Sequence, residues 1–162
     1  MPVILVVGAT GKQGGAAINM LLSQQDRNDV SLRFITRNTK SPASLKLTEQ
    51  GCKGYEADIF DADSLKEPLD GVDAAFLMTD NMVGEDNEVL QGKTFVDAAK
   101  EAGVKHIVFT SVSASDTATN VPHFRSKYKV SNEYRTKPYD RSSSISLRRV
   151  CRIRFCDQCA SW

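Results

Sequence analysis

Along the first 110 positions, short unbroken apolar runs alternate with amphipathic stretches, and glycine, proline or aspartate stands at most of the joins. Val3–Val7 is a β-branched and aliphatic run with no polar break, the mark of a strand buried on both faces. A glycine-rich turn follows, then a segment from about Gly14 to Gln24 whose spacing predicts a helix. Ser31–Thr36 reads as a second strand. Ser41 is suited to cap a short helix, Pro42 to its first position, and Gly51 to its end. Gly54–Ala57 reads as a third strand. Asp61 is a cap for a helix reaching about Leu69, and Asp70-Gly71 turns the chain into a fourth strand at Val72–Met78. Within Glu85–Ala102, residues Val89, Leu90, Phe95, Ala98, Ala99 and Ala102 recur at near-helical spacing, and Gly103 is placed to close that helix. Val104–Thr110 is the fifth strand.

Strands that alternate with helices predict an α/β fold of the Rossmann type, a doubly wound parallel sheet with right-handed crossovers. The expected strand order is 3-2-1-4-5. Ligands of such sheets sit beyond the carboxyl ends of the strands where the order reverses, so residues just after strands one, two, four and five carry the interest.

Composition narrows the class without adding chemistry. A chain of 162 residues is one domain's worth, and 41% apolar with 25% charged residues is ordinary for a globular protein. No apolar run approaches the roughly 20 residues of a membrane span. The amino terminus lacks the basic start and cleavage site of a signal peptide, so a cytoplasmic location is expected. Cys52, Cys151, Cys156 and Cys159 are irregularly spaced and suggest no secreted disulfide framework. Charge is uneven: residues 1–120 hold 11 Lys and Arg against 17 Asp and Glu, net −6, and residues 121–162 hold 10 against 3, net +7.

The first turn carries the chemistry. Gly8-Ala9-Thr10-Gly11-Lys12-Gln13-Gly14 is spaced G-x-x-G-x-x-G between a buried strand and a helix. Its glycines allow a tight turn, a close approach of backbone to pyrophosphate, and close helix-on-strand packing. The helix amino terminus adds unpaired N–H groups and a positive dipole end. The second strand ends in Arg37-Asn38, with no acidic residue to take the ribose hydroxyls, while the Arg37 guanidinium with Lys40 suits a 2′-phosphate. NADP(H) is therefore expected over NAD(H), against the plainer reading of Arg37 as a solvated surface residue. Asp58 could accept from the adenine amino group or serve as a turn residue. Thr79, Asp80 and Asn81 follow the fourth strand and are expected to line the cleft. Lys12 could meet phosphate or be an exposed helix lysine.

Taken together, Gly8–Gly15, Thr36-Arg37-Asn38, Ala57-Asp58 with Asp61, Phe109-Thr110-Ser111, and Pro122-His123-Phe124-Arg125-Ser126-Lys127 resemble the NmrA-like family of atypical short-chain dehydrogenase/reductases, from residue 3 to about 130. The resemblance implies nucleotide contacts at Gly8 through Gly14, Arg37, Asn38, Lys40, Asp58, Ile59, Thr79, Asp80, Asn81 and Lys127. It also implies an NADP(H)-binding protein, either a redox-sensing or regulatory one without efficient dehydrogenase activity or an NADPH-dependent reductase of quinones or small carbonyl compounds. Ordinary short-chain reductases place a Tyr four residues before a Lys, beside a Ser that holds the substrate oxygen. Here Ser111 and Lys127 match but His123 stands where the Tyr would be, and Tyr128 is out of register. Histidine moves protons near neutral pH, so a catalytic role and a surface role both stay open, and no catalytic residue is assigned. A protein partner and self-association are both open to such a chain, whereas a membrane or nucleic-acid partner is not expected.

After Val130 the resemblance fades, which divides the chain into a nucleotide-binding domain at 1–130 and a divergent basic tail at 131–162. The charge reversal suggests family coding sequence read out of register or cut short, with the family's substrate-binding region missing. Cys151, Cys156 and Cys159 offer three sulfur ligands where a closed zinc site wants four. The five arginines from Arg141 to Arg154 could attract phosphates but come with no reading motif.

Overall fold

In a computed structural model, residues 1–24, 29–112, 115–117 and 120–136 are described, and everything below concerns these. The expectations for Cys151, Cys156, Cys159 and the arginines of the tail lie outside them. Five parallel strands, β1 (Val3–Val7), β2 (Ser31–Thr36), β3 (Lys53–Glu56), β4 (Ala74–Leu77) and β5 (His106–Phe109), form one sheet in the order β3-β2-β1-β4-β5. This is the doubly wound arrangement the alternation predicts, and its order reverses between β1 and β4, which pair from Ile4–Ala74 to Val6–Phe76. The helices are α1 (Lys12–Leu22), α2 (Pro42–Glu49), α3 (Ala62–Leu69), α4 (Glu85–Glu101) and α5 (Pro122–Thr136), with a short 3-10 turn at Asn81–Val83.

Each central strand divides its side chains between two cores, as the period of two requires. Leu5, Val7 and Ile35 pack with Leu65 and Leu69 of α3, Phe95, Val96 and Ala99 of α4, and Val130 of α5. Val6, Leu32 and Phe34 pack on the opposite face with Ile18 of α1, Leu47 of α2 and Cys52. Burying a Leu or Phe side chain contributes about 1.5–3 kcal/mol, so the continuous apolar runs are explained by cores on both sides of the sheet.

Local signals place the starts of α2 and α3. Ser41 accepts from Ser44 N–H at 3.2 Å with Pro42 in the first turn, and Asp61 accepts from Asp63 N–H at 3.0 Å. Gly51 and Gly103 follow α2 and α4 with positive φ. The fourth and fifth strands are shorter than the apolar runs that announce them. Val72 and Val104 donate their N–H groups back to Leu69 and Ala99 of the preceding helices, at 3.1 and 2.9 Å, before the chain enters the sheet.

α4 differs from the expectation in which face it buries. Leu90 is half exposed and Ala102 is exposed, whereas Glu88, Gln91 and Gly92 are buried with Phe95, Val96 and Ala99. α5, which no hydrophobic pattern announces, covers that face. A Cβ on Gly92 would stand 2.6 Å from Val130 Cγ2, so the glycine sets how closely α4 and α5 approach.

Candidate functional site

The glycine turn sits at the carboxyl end of β1, beside β4. Gly8 has φ +70°, and its carbonyl accepts from Gly11 N–H at 2.9 Å, folding the chain back on itself. Gly11 is extended and directly precedes α1, which therefore starts at Lys12, two residues before the expected Gly14. Gly14 is thus inside the helix and has no room for a side chain: a Cβ there would lie 2.3 Å from Gly8 O and 2.7 Å from Val7 O. No side chain caps α1, and no acidic residue lies in its first turn. Unfilled N–H groups at a helix start attract an anion, more so without a nearby carboxylate. Thr10, Gly11, Lys12 and Gln13 are exposed around this end, and Ala9 is buried beneath it. A cradle that a Cβ would fill and that presents backbone donors fits a pyrophosphate.

At the tip of β2, Asn38 organises the loop. Its N–H donates to Thr36 Oγ1 at 3.2 Å, its side-chain oxygen accepts from Lys40 N–H at 2.9 Å, and its carbonyl accepts from Ser44 Oγ at 2.9 Å. Arg37 and Lys40 are exposed on either side, and among the described residues no hydrogen bond or ion pair occupies the Arg37 guanidinium or the Lys40 ammonium. Two free cations on a braced turn suit a phosphate monoester. After β3, Asp58 is exposed but engaged as a turn residue: Oδ1 accepts from Phe60 N–H at 2.9 Å, and Ser64 Oγ bonds its backbone on both sides. Ile59 is half-buried against the larger core.

Beyond β4 the site is made of side chains. Met78 lies against Gly8, since a Cβ on that glycine would stand 3.0 Å from Met78 Cε. The next residue, Thr79, is buried, and its hydroxyl donates to Glu88 Oε1 at 2.8 Å. Lys127 Nζ donates to Thr79 Oγ1 at 2.7 Å and reaches Thr79 O at 3.3 Å and Glu88 Oε1 at 2.9 Å. The same ammonium lies 5.1 Å from the ring centre of Phe109, at the end of β5. Ser126 Oγ donates to Glu88 Oε2. Glu88 and Lys127 are only 1% and 7% exposed, so this pair is buried and must be fully hydrogen-bonded to be tolerated. Asp80 N–H donates to Gln91 Oε1 at 2.9 Å, and Asp80 Oδ1 accepts from Met82 N–H at 2.9 Å, which caps the 3-10 turn that begins at the exposed Asn81.

Outside this cluster, Glu85 accepts from both Arg125 and Lys129 and clamps the first turn of α4 to α5. The Arg125 and then the Lys129 hydrogen bonds hold the Glu85 carboxyl at about 2, below its ordinary 4.5.

The three positions that match a reductase triad are not joined. Ser111 Oγ is exposed and lies 3.5 Å from Ser131 Oγ. His123 is exposed, with its ring edge-on to Phe124 at 4.9 Å. No hydrogen bond links Ser111, His123 and Lys127 among the described residues. Glu88 and Gln91 escape sequence reasoning because each looks like a solvent-facing helix polar; the only signal is their spacing, one turn apart on the side that carries Phe95.

A model of the NmrA-like family matches residues 2–148. Among curated proteins, the NmrA-like family domain-containing oxidoreductase FrzB of a Cladobotryum species is 37% identical over 138 residues, which cover 79% of this chain and 40% of that protein. Among solved structures, a Citrobacter triphenylmethane reductase superposes with a TM-score of 0.73 at 25% identity, over 84% of this chain and 45% of that one. An NADPH-dependent quinone oxidoreductase from Escherichia coli, solved with NADPH, gives a TM-score of 0.70 at 27% identity, over 82% and 44%. The chain thus spans less than half the length of each of these relatives. Among the described residues no helix is long and apolar enough to cross a membrane.

Proposed function

The chain belongs to the NmrA-like family, and on that premise we propose that it holds NADP(H) across the carboxyl ends of β1, β2 and β4 and works as a nucleotide-responsive regulatory protein. In this reading the pyrophosphate takes the backbone donors of Gly8 through Gly14, and the 2′-phosphate takes Arg37 and Lys40 around Asn38. Asp58 and Ile59 border the adenine. Thr79, Asp80 and Asn81 border the nicotinamide half, and Lys127 meets its ribose. NADPH, when bound, supplies a hydride. The observation that carries the reading is the α1 start, which no side chain caps and no carboxylate opposes, at the point where the strand order reverses. The quinone oxidoreductase, solved with NADPH, supports the choice of cofactor.

The regulatory part rests on what surrounds the nicotinamide end. An efficient proton donor needs hydrogen-bond reach of substrate and a partner that tunes it; His123 is exposed against Phe124, and Lys127 is committed to Glu88 and Thr79. Residues 1–130 are taken as the nucleotide-binding unit, and a protein partner is the natural reader of its bound state. A reductase of quinones or small carbonyl compounds is the second reading, favoured by the relatives being an oxidoreductase, a triphenylmethane reductase and a quinone oxidoreductase.

Calorimetric titration of the 162-residue chain with NADPH and with NADH, followed by an assay of NADPH oxidation with a simple quinone, separates these. NADPH binding that exceeds NADH binding without turnover is expected. Turnover puts the reductase reading first, and binding of neither nucleotide overturns the proposal.

A further inference from the structure

Glu88 is an ionisable group that the proposed cofactor contacts leave unused, yet it is 1% exposed and organises three partners. One carboxylate oxygen takes Thr79 Oγ1 and Lys127 Nζ, and the other takes Ser126 Oγ. Ser126 and Lys127 are successive residues of α5, Thr79 lies two residues beyond β4, and Glu88 comes from α4, so the carboxylate joins α4, α5 and the segment after β4 at one point. A surface ion pair is not needed to dock α5, because Glu85 with Arg125 and Lys129 already does so on the outside. The buried pair does something else: it fixes where one ammonium stands.

That place is specific. Lys127 lies over the carboxyl ends of β4 and β5, held at Thr79 and above Phe109, while Met78, one residue before Thr79, touches Gly8 of the glycine turn. An ammonium has three N–H donors. Two are well spent, on Thr79 Oγ1 at 2.7 Å and Glu88 Oε1 at 2.9 Å, and the third makes only the 3.3 Å contact to Thr79 O. We propose that Glu88 is a positioning residue for the nicotinamide half of the cofactor, which with Thr79 and Ser126 aims the weakly used third donor of Lys127 at a ribose hydroxyl. The inference rests on the reading of Lys127 as a cofactor ligand and adds the residue that makes it one.

Affinities for NADPH and for 2′,5′-ADP test it, because the second ligand has the adenosine phosphates and no nicotinamide ribose. Glu88→Gln keeps the side chain's shape and removes the charge that holds Lys127. It should weaken NADPH by about tenfold, the weight of one hydrogen bond to a charged group, and leave 2′,5′-ADP within about twofold. Ser126→Ala keeps the ion pair and frees one carboxylate oxygen, and should give a smaller loss with the same selectivity; it decides the matter if Glu88→Gln does not fold. Glu88→Gln with Lys127→Met buries no unpaired charge and should lose NADPH affinity selectively. If that double variant binds NADPH as the unsubstituted chain does, Lys127 is not a ligand and the underlying reading falls with the inference. If it loses NADPH selectively while Glu88→Gln and Ser126→Ala do not, the positioning role alone is overturned. Equal losses for both ligands, with a lower unfolding temperature, make Glu88 a structural residue only.

Discussion

At the end of β2 the Arg37 guanidinium is exposed and has no protein partner among the described residues, while beyond the end of β4 the Lys127 ammonium is buried and meets three oxygens, two of Thr79 and one of Glu88. The side of the cleft proposed to take the adenosine half is built from backbone: a glycine turn, an uncapped helix start and a braced loop that leaves its cations to solvent. The side proposed to take the nicotinamide half is built from side chains that satisfy one another before any ligand arrives. An open donor set gains most of its interaction from the ligand itself. A closed one has its geometry set in advance and gives up a protein contact for each one it makes to the ligand. Affinity should therefore concentrate in the first half, and orientation of the reactive ring in the second.

The sharpest way to break this contrast is Gly14→Ala. The new Cβ would fall 2.3 Å from Gly8 O and 2.4 Å from Gly8 C, both backbone atoms that cannot swing aside. The start of α1 must move away from the turn, at a cost of about 1–3 kcal/mol or more for overpacking. Binding of NADPH and of 2′,5′-ADP should both be lost to titration, with a lower unfolding midpoint, while the Glu88–Lys127 cluster is untouched. Retained affinity for 2′,5′-ADP would mean that the backbone cradle is not the main anchor.

Arg37→Glu is narrower. It replaces the cation that suits the 2′-phosphate by a carboxylate that suits ribose hydroxyls, and should weaken NADPH by roughly ten- to hundredfold. NADH should be unaffected or bound more tightly. A titration in which both nucleotides lose equally would show that Arg37 supports the loop rather than reads the phosphate.

The same division explains what the sequence discloses. Buried parallel strands and tight turns write themselves as apolar runs and glycines, so strand order, the Ser41 and Asp61 caps and the Gly8–Gly14 turn are legible from residue types alone. Lys127 is legible only through the resemblance, and its partners are not legible at all. Glu88 and Gln91 look like solvent-facing helix residues, and Leu90, which looks like core, is half exposed. The helical pattern of α4 is set by what α5 brings to it: Ser126 and Lys127 make a buried carboxylate tolerable, and Val130 needs Gly92 beneath it. α5 itself is rich in charge and carries no clear apolar stripe, so neither helix announces the face they share.

The smallest expected effect concerns how α5 is held. Glu85 has its carboxyl depressed to about 2 by Arg125 and Lys129. A carboxyl depressed on folding stabilises the folded state at pH values above its ordinary 4.5, and that contribution fades as the pH falls from 4.5 towards 2. Arg125 and Lys129 are 40% and 51% exposed, so solvent and salt screen the interaction and the effect is modest. Thermal unfolding midpoints followed from pH 6 to 3 should fall more steeply for the unsubstituted chain than for Glu85→Gln. Asp63 and Asp73, also depressed by lysine partners, titrate in both and cancel in the difference. The gap between the two curves should narrow when salt is added. Parallel curves would show that Glu85 does not secure α5, leaving the buried Glu88–Lys127 pair and the Gly92–Val130 contact to hold the nicotinamide side of the cleft.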